Sequence, residues 1–205
     1  MKKKFLSLMM AAAVVATTSV SAFADETVNK DGGQVNVTVT GSVNNNQDIA
    51  PAGTLNVTVP TALTFSVDKT GVLTGSDIVV TNRGTEEVDV FVYQFIDSSP
   101  TKGIIVKNDV QNEEERSNVS LEINGDQATA YLSSAAGSNR GVSGDVITDD
   151  GVKISTVGTG NQNTGTLELR GRAGKAALTG SGAQDGMSEK FTLKLKIKKA
   201  AKAAR

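Results

Sequence analysis

KFTLKLKIKK, residues 190–199, carries an apolar side chain at every second position: Phe191, Leu193, Leu195 and Ile197 share one parity, with Lys190, Thr192, Lys194, Lys196 and Lys198 on the other. A strand sends successive side chains to opposite faces, so this spacing predicts a strand with one dry face and one row of charge. The same period of two recurs along the chain. VDVFVYQFI, residues 88–96, alternates Val88, Val90 and Val92 with Phe91, Tyr93 and Phe95, which makes both faces apolar and predicts a central strand covered on both sides. The core is expected here.

Upstream, NVTV is spelled twice, at Asn36–Val39 and Asn56–Val59. In the first copy Val35, Val37 and Val39 share a face; in the second Leu55, Val57 and Val59 do, and Pro60, which has no N–H for a ladder, ends the run. The two copies are read as hairpin-like partners covering one core. Further strands are read in TALTFSV, DIVVTN, GIIVKN, DVITD, VKISTV and TLELRG, with the acidic DVQNEEER as a solvated loop. SLEINGDQATAYLSS reads as a hairpin whose Asn124-Gly125 pair supplies a type I′ turn. Between residues 137 and 186, 12 glycines punctuate short strands and loops. About ten short strands without βα alternation predict an all-β fold, an antiparallel β-sandwich of jellyroll or Ig-like type.

The chain has 205 residues. Lys2–Lys4, the apolar run Phe5–Val20 and Ala22-Phe23-Ala24 have the three-part pattern of a secretory signal, so residues 1–24 are expected to be removed. A flexible polar arm is expected over 25–33, one β-sandwich domain over 34–198 and a basic tail over 199–205. Processing removes three lysines and no acid, taking the net charge from −1 to −4, which offers no electrostatic footprint for nucleic acid. No later apolar run approaches the roughly 18 residues of a membrane span. The expected location is therefore secreted, extracellular or bound to the cell wall.

The sequence has no Cys, His or Trp. Disulfides, thiolate or imidazole metal centres and every His-dependent nucleophilic mechanism are thereby excluded. A paired-carboxylate glycosidase needs none of these residues, but without Trp the usual sugar platform is missing, and Tyr93 and Tyr131 are the only tyrosines. The glycine clusters GTGNQNTG and GSGAQDG match no phosphate-binding pattern. Asp145, Asp149 and Asp150, with Asn44–Asn46 and Asp48, offer oxygens for calcium, but Asp-Asp-Gly between strands reads more simply as a turn. No catalytic residue, cofactor or metal ligand is assigned, and the protein is expected to be no enzyme.

Two features carry an interaction reading. The lysine row, with Lys199, Lys202 and Arg205, reads either as protection of an exposed sheet edge or as a contact for an anionic cell-wall polymer, made by Lys194, Lys196, Lys198, Lys199 and Lys202. The strand holding Val35, Val37 and Val39 lies between a polar arm and the Gly/Asn/Pro connector GSVNNNQDIAPAG, so it is free to pair within its own sheet or to join a neighbouring copy.

GTLNVTVPTALTFSVDKTG and DIVVTNRGTEEVDVFVYQF, within residues 53–95, resemble stretches of secreted Gram-positive surface β-domains, among them WxL-type cell-wall proteins and the TasA/camelysin fibre family. Because no Trp is present, the W-x-L signatures are absent and peptidoglycan attachment does not carry over. Resemblance to the fibre family implies a jellyroll-like sandwich that polymerises by donating an N-terminal strand. The expected function is a secreted, non-enzymatic structural protein of the cell surface or matrix, self-assembling by strand donation; the alternatives are a module docking wall polymer through its C-terminal lysines, and a carbohydrate-binding domain or small glycosidase.

Overall fold

Alternation sorts most of the chain into strands. The structure, a computed structural model, describes residues 23–28, 31–39, 42–44, 55–97, 103–134, 139–179 and 187–201. Its strands are β1 (Phe23–Val28), β2 (Gly33–Val39), β3 (Ser42–Asn44), β4 (Val57–Pro60), β5 (Phe65–Val67), β6 (Leu73–Gly75), β7 (Asp77–Asn82) and β8 (Val88–Asp97). They continue as β9 (Ile105–Lys107), β10 (Asn118–Asn124), β11 (Thr129–Leu132), β12 (Val142–Ser143), β13 (Val152–Val157), β14 (Thr164–Ala173) and β15 (Phe191–Lys199). Helical structure among the described residues amounts to two short 3-10 turns, at Asn139–Gly141 and Gly160–Gln162.

Two sheets make the sandwich. The larger runs β12-β11-β10-β14-β7-β4-β1-β3, with β9 also paired to β10; the smaller runs β13-β8-β15-β2. A separate hairpin, β5-β6, flanks them. Most pairings are antiparallel, as the sequence predicts; β1 with β3 and β9 with β10 are parallel. The fifteen strands exceed the expected ten because β1, β3 and the shortest pieces lack a long alternating signature.

The core lies between the sheets. Val57, Val59, Ile78, Val80, Leu121, Ile123, Leu132 and Leu167 of the large sheet form one buried cluster with Val88, Val90, Val92, Ile154, Leu193, Leu195 and Ile197 of the small one. Phe191 sits at one end of it, its ring centroid 5.2 Å from Phe95 and 6.3 Å from Phe65.

Several local expectations change. Residues 25–28, read as part of a flexible arm, form β1 and pair with β4 from Asp25↔Pro60 to Val28↔Val57, because β4 offers an open ladder on that side. Phe23 and Ala24, the end of the expected signal, begin the same strand; residues 1–22 lie outside the described residues. The NVTV copies are not hairpin partners: β2 belongs to the small sheet and β4 to the large one, so they enclose the core from opposite layers.

In β8 the alternation is interrupted. Leu195 pairs with Val92 but Lys194 with Gln94, which leaves Tyr93 as an extra residue, a β-bulge. The bulge flips the parity: Val88, Val90 and Val92 point inward before it and Phe95 after it. On the outer face of β8, Asp89 is engaged by Lys153 of the neighbouring strand, and the Tyr93 ring by Lys196 and by Arg140, which lies outside the sheet.

DVITD is not a strand. Val146 and Ile147 are 71% and 51% exposed in a loop; two adjacent apolar residues cannot share one face of a pleat. The β10–β11 hairpin exists, but its loop is the four residues Gly125–Ala128, closed by Gly125 N–H donating to the Ala128 carbonyl at 3.0 Å. Gly125 does not supply positive φ there. Instead, a Cβ on Gly125 would stand 2.0 Å from the carbonyl oxygen of Ile154, so glycine is required for β13 to pass close over the loop.

Leu195 is fully buried at the middle of the small sheet. Leu195→Ala is expected to cost about 2–5 kcal/mol of unfolding free energy, whereas Val79→Thr on the exposed face of β7 should stay within about 0.5 kcal/mol. Urea denaturation of the two variants checks this.

Candidate functional site

The two interaction features of the sequence lie side by side in the small sheet. β15 pairs on one flank with β8 and on the other with β2, in the register Phe191↔Val39, Leu193↔Val37, Leu195↔Val35 and Ile197↔Gly33. Val35, Val37 and Val39 thus stand opposite the buried residues of β15. β2 ends the sheet, and its outer backbone edge has no neighbouring strand among the described residues. Its start is fastened where the Lys199 N–H donates to the Asp31 carboxylate at 2.8 Å.

This placement corrects one reading of the lysine row. β15 is interior to its sheet, so its lysines do not guard an edge. They form instead the outward face of the small sheet, opposite the core. Lys194, Lys196 and Lys198 share that face; Lys199 ends the strand at an exposed position, and Lys202 and Arg205 lie outside the described residues.

The face is a bonded network. Asp150 accepts from Lys196 Nζ at 2.7 Å and from Lys198 Nζ at 2.6 Å. These two lysines hold the Asp150 carboxyl below the usual carboxylate range, and Asp150 in turn raises Lys198. Asp150 is presented by a tight turn in which Thr148 and Gly151 exchange backbone hydrogen bonds, both 3.0 Å. Gly151 has φ 101°, and a Cβ there would meet the Val92 carbonyl oxygen at 2.2 Å, so the turn is pressed onto β8. Asp-Asp-Gly is therefore a turn, as its composition predicts.

Beside it, the Arg140 guanidinium stacks 4.6 Å above the Tyr93 ring and donates to the Asp149 carbonyl at 2.8 Å, with Lys196 Nζ 5.5 Å from the same ring. Lys153 pairs with Asp89 at 2.7 Å, and Thr156 Oγ1 donates to that carboxylate at 2.7 Å. Lys194 makes no ion pair among the described residues.

No family model matches this chain, and no curated protein or solved structure matches it either.

The remaining candidates disperse. No group of three or more acidic, His or Cys side chains able to hold a metal occurs among the described residues; Asn45, Asn46 and Asp48 lie outside them. Tyr131 is 39% exposed on the outer face of the large sheet, in a groove with Glu122, Arg170 and Arg172.

Sequence reasoning misses the meeting of Asp97 and Glu189. Burial, then the neighbouring Asp97, pushes the Glu189 carboxyl up, while the Ile104 N–H donates to it. The two acids are far apart in the chain and join only because β8 and β15 are neighbours, which no spacing signals.

Among the described residues, no helix is long and apolar enough to cross a membrane.

Because Asp150 has a depressed pKa, its contribution to stability is present above its unfolded pKa and is lost as pH falls through the lower folded value. Asp150→Asn is therefore expected to be less stable than wild type at neutral pH and equal to it in strong acid. On the alkaline side the difference should also fade once pH passes the raised pKa of Lys198. Denaturation midpoints of both proteins across pH test both limbs.

Proposed function

We propose that this chain is a secreted, non-enzymatic structural subunit of a cell surface or extracellular matrix that assembles by exchanging its N-terminal strand β2 between copies. The observation carrying this reading is that β2 is a terminal strand whose alternate residues Val35, Val37 and Val39 are in register with the buried Leu195, Leu193 and Phe191. Withdrawing β2 would uncover the backbone edge of β15 beside these side chains. The same edge would take the same strand from a second copy with the same backbone ladder. β1 and β3, which flank β2 in the chain and pair with each other on the large sheet, would travel with it in such an exchange.

Removing Gly33–Val43 is expected to abolish filaments that the processed protein forms in electron micrographs, and a peptide of those residues should bind the shortened domain. Filaments formed unchanged by the shortened protein would sink the reading.

A second reading rests on the outer face of the same sheet, where, among the described residues, Arg140, Lys153, Lys194, Lys196 and Lys198 are bonded to the carboxylates of Asp89 and Asp150 alone. Such a surplus attracts an anionic wall polymer through screened, long-range forces. Changing Lys194, Lys196 and Lys198 together to Gln should reduce retention on cell walls, and wild-type retention should fall with added salt. Retention indifferent to salt excludes it.

A further inference from the structure

The outer hairpin β5–β6 covers a cavity that the core does not fill. It measures about 320 Å³, near the lower end of the range occupied by small-molecule sites, roughly 300–1,000 Å³. Its apolar wall is Phe65, Val67, Ile104, Val119, Leu178 and Met187. Phe65, Val67 and Ile104 are only partly buried and pack on the core with one side. Their other side is free to be covered by an apolar group.

The polar part of the wall is Arg116, with Ser66, Ser117, Asp68 and Lys69. Arg116 is unusual among the described residues: its Nε is buried and has no hydrogen-bond partner. Among the described residues the guanidinium makes one long bond, from Nη2 to the Lys175 carbonyl at 3.5 Å, and no ion pair. Asp68 lies near enough to feel its charge but does not touch it. That carboxylate is engaged by its own turn, accepting from Thr70 N–H at 2.7 Å, Thr70 Oγ1 at 2.7 Å and Val72 N–H at 3.0 Å.

Nε itself is shut off from the cavity, but the Nη groups of the half-buried guanidinium are not, and with no carboxylate partner among the described residues they can take an anionic oxygen. Water would solvate the Nη groups but would neither balance the charge nor cover Phe65, Ile104 and Met187. A phosphate or dicarboxylate would meet too much apolar wall, and an amine would face Lys69 and Arg116. We propose that this cavity binds a small amphipathic monocarboxylate, with Arg116 taking the carboxylate and Phe65, Val67, Ile104, Leu178 and Met187 enclosing a short apolar tail. The site lies apart from β2 and does not depend on strand exchange.

The test uses the processed full chain with three probes sharing one tail: octanoate, octanol and octylamine. In an amide chemical-shift titration, octanoate should cause saturable shifts clustered at Ile104, Arg116, Ser117 and Met187. Octanol and octylamine should bind about tenfold more weakly or worse, as expected for loss of a charge-assisted pair. Arg116→Gln should weaken octanoate by a similar factor while circular dichroism remains unchanged. Met187→Glu, at a 36% exposed rim position, should weaken octanoate by repulsion without touching the core. Equal affinity for all three probes, shifts scattered over the surface, or no saturable shift with octanoate would each overturn the proposal; the probe comparison holds even if Arg116→Gln fails to fold.

Discussion

Phe191, Leu193, Leu195 and Ile197 are removed from water on three sides at once: by β8 on one flank, by β2 on the other, and by the large sheet across the interior. Each is at most 1% exposed. Since apolar burial contributes about 25 cal/mol per Å², the face gains its full value only while both flanking strands are in place. The need for a strand on each flank of β15 follows from that requirement.

The opposite face of the same strand solves a different problem. Lys194, Lys196 and Lys198 cannot lie in a row without repelling one another, and β8 supplies two aromatic rings, Phe91 and Tyr93, that would otherwise be bare. The bulge at Tyr93 lets Phe95 enter the core while Tyr93 stays outside as a platform for Arg140 and Lys196. Asp150 then ties two lysines to the turn before β13. Individually such partly exposed ion pairs are weak; their geometric effect is to fix the turn and the strand in one relative position.

Strands whose one face is buried were legible in the sequence. Residues 191–197, 119–123 and 77–82 show their burial directly in the period of two, and the sandwich class follows from their number and spacing. Partnership was not legible, because alternation states which side of a strand is dry and says nothing about which strand lies alongside. That is why the NVTV copies were paired with each other although they belong to opposite layers, and why the lysine row suggested an edge. The β8 bulge was invisible because a one-residue insertion leaves no mark when both parities are apolar. Gly125 shows the converse: its turn-like dipeptide has a real requirement for glycine, but the reason is the Ile154 carbonyl lying across it. Arg116 and the Asp97–Glu189 pair are joined to their surroundings only by the folded topology.

Pairing between β2 and β15 has a kinetic side. Val35 and Leu195 are partners although 160 positions separate them. A contact of that separation carries a large loop-closure entropy and belongs to the slowly formed kind. Of the strand pairings in the two sheets it spans the longest stretch of chain, so its closure carries the largest entropic cost.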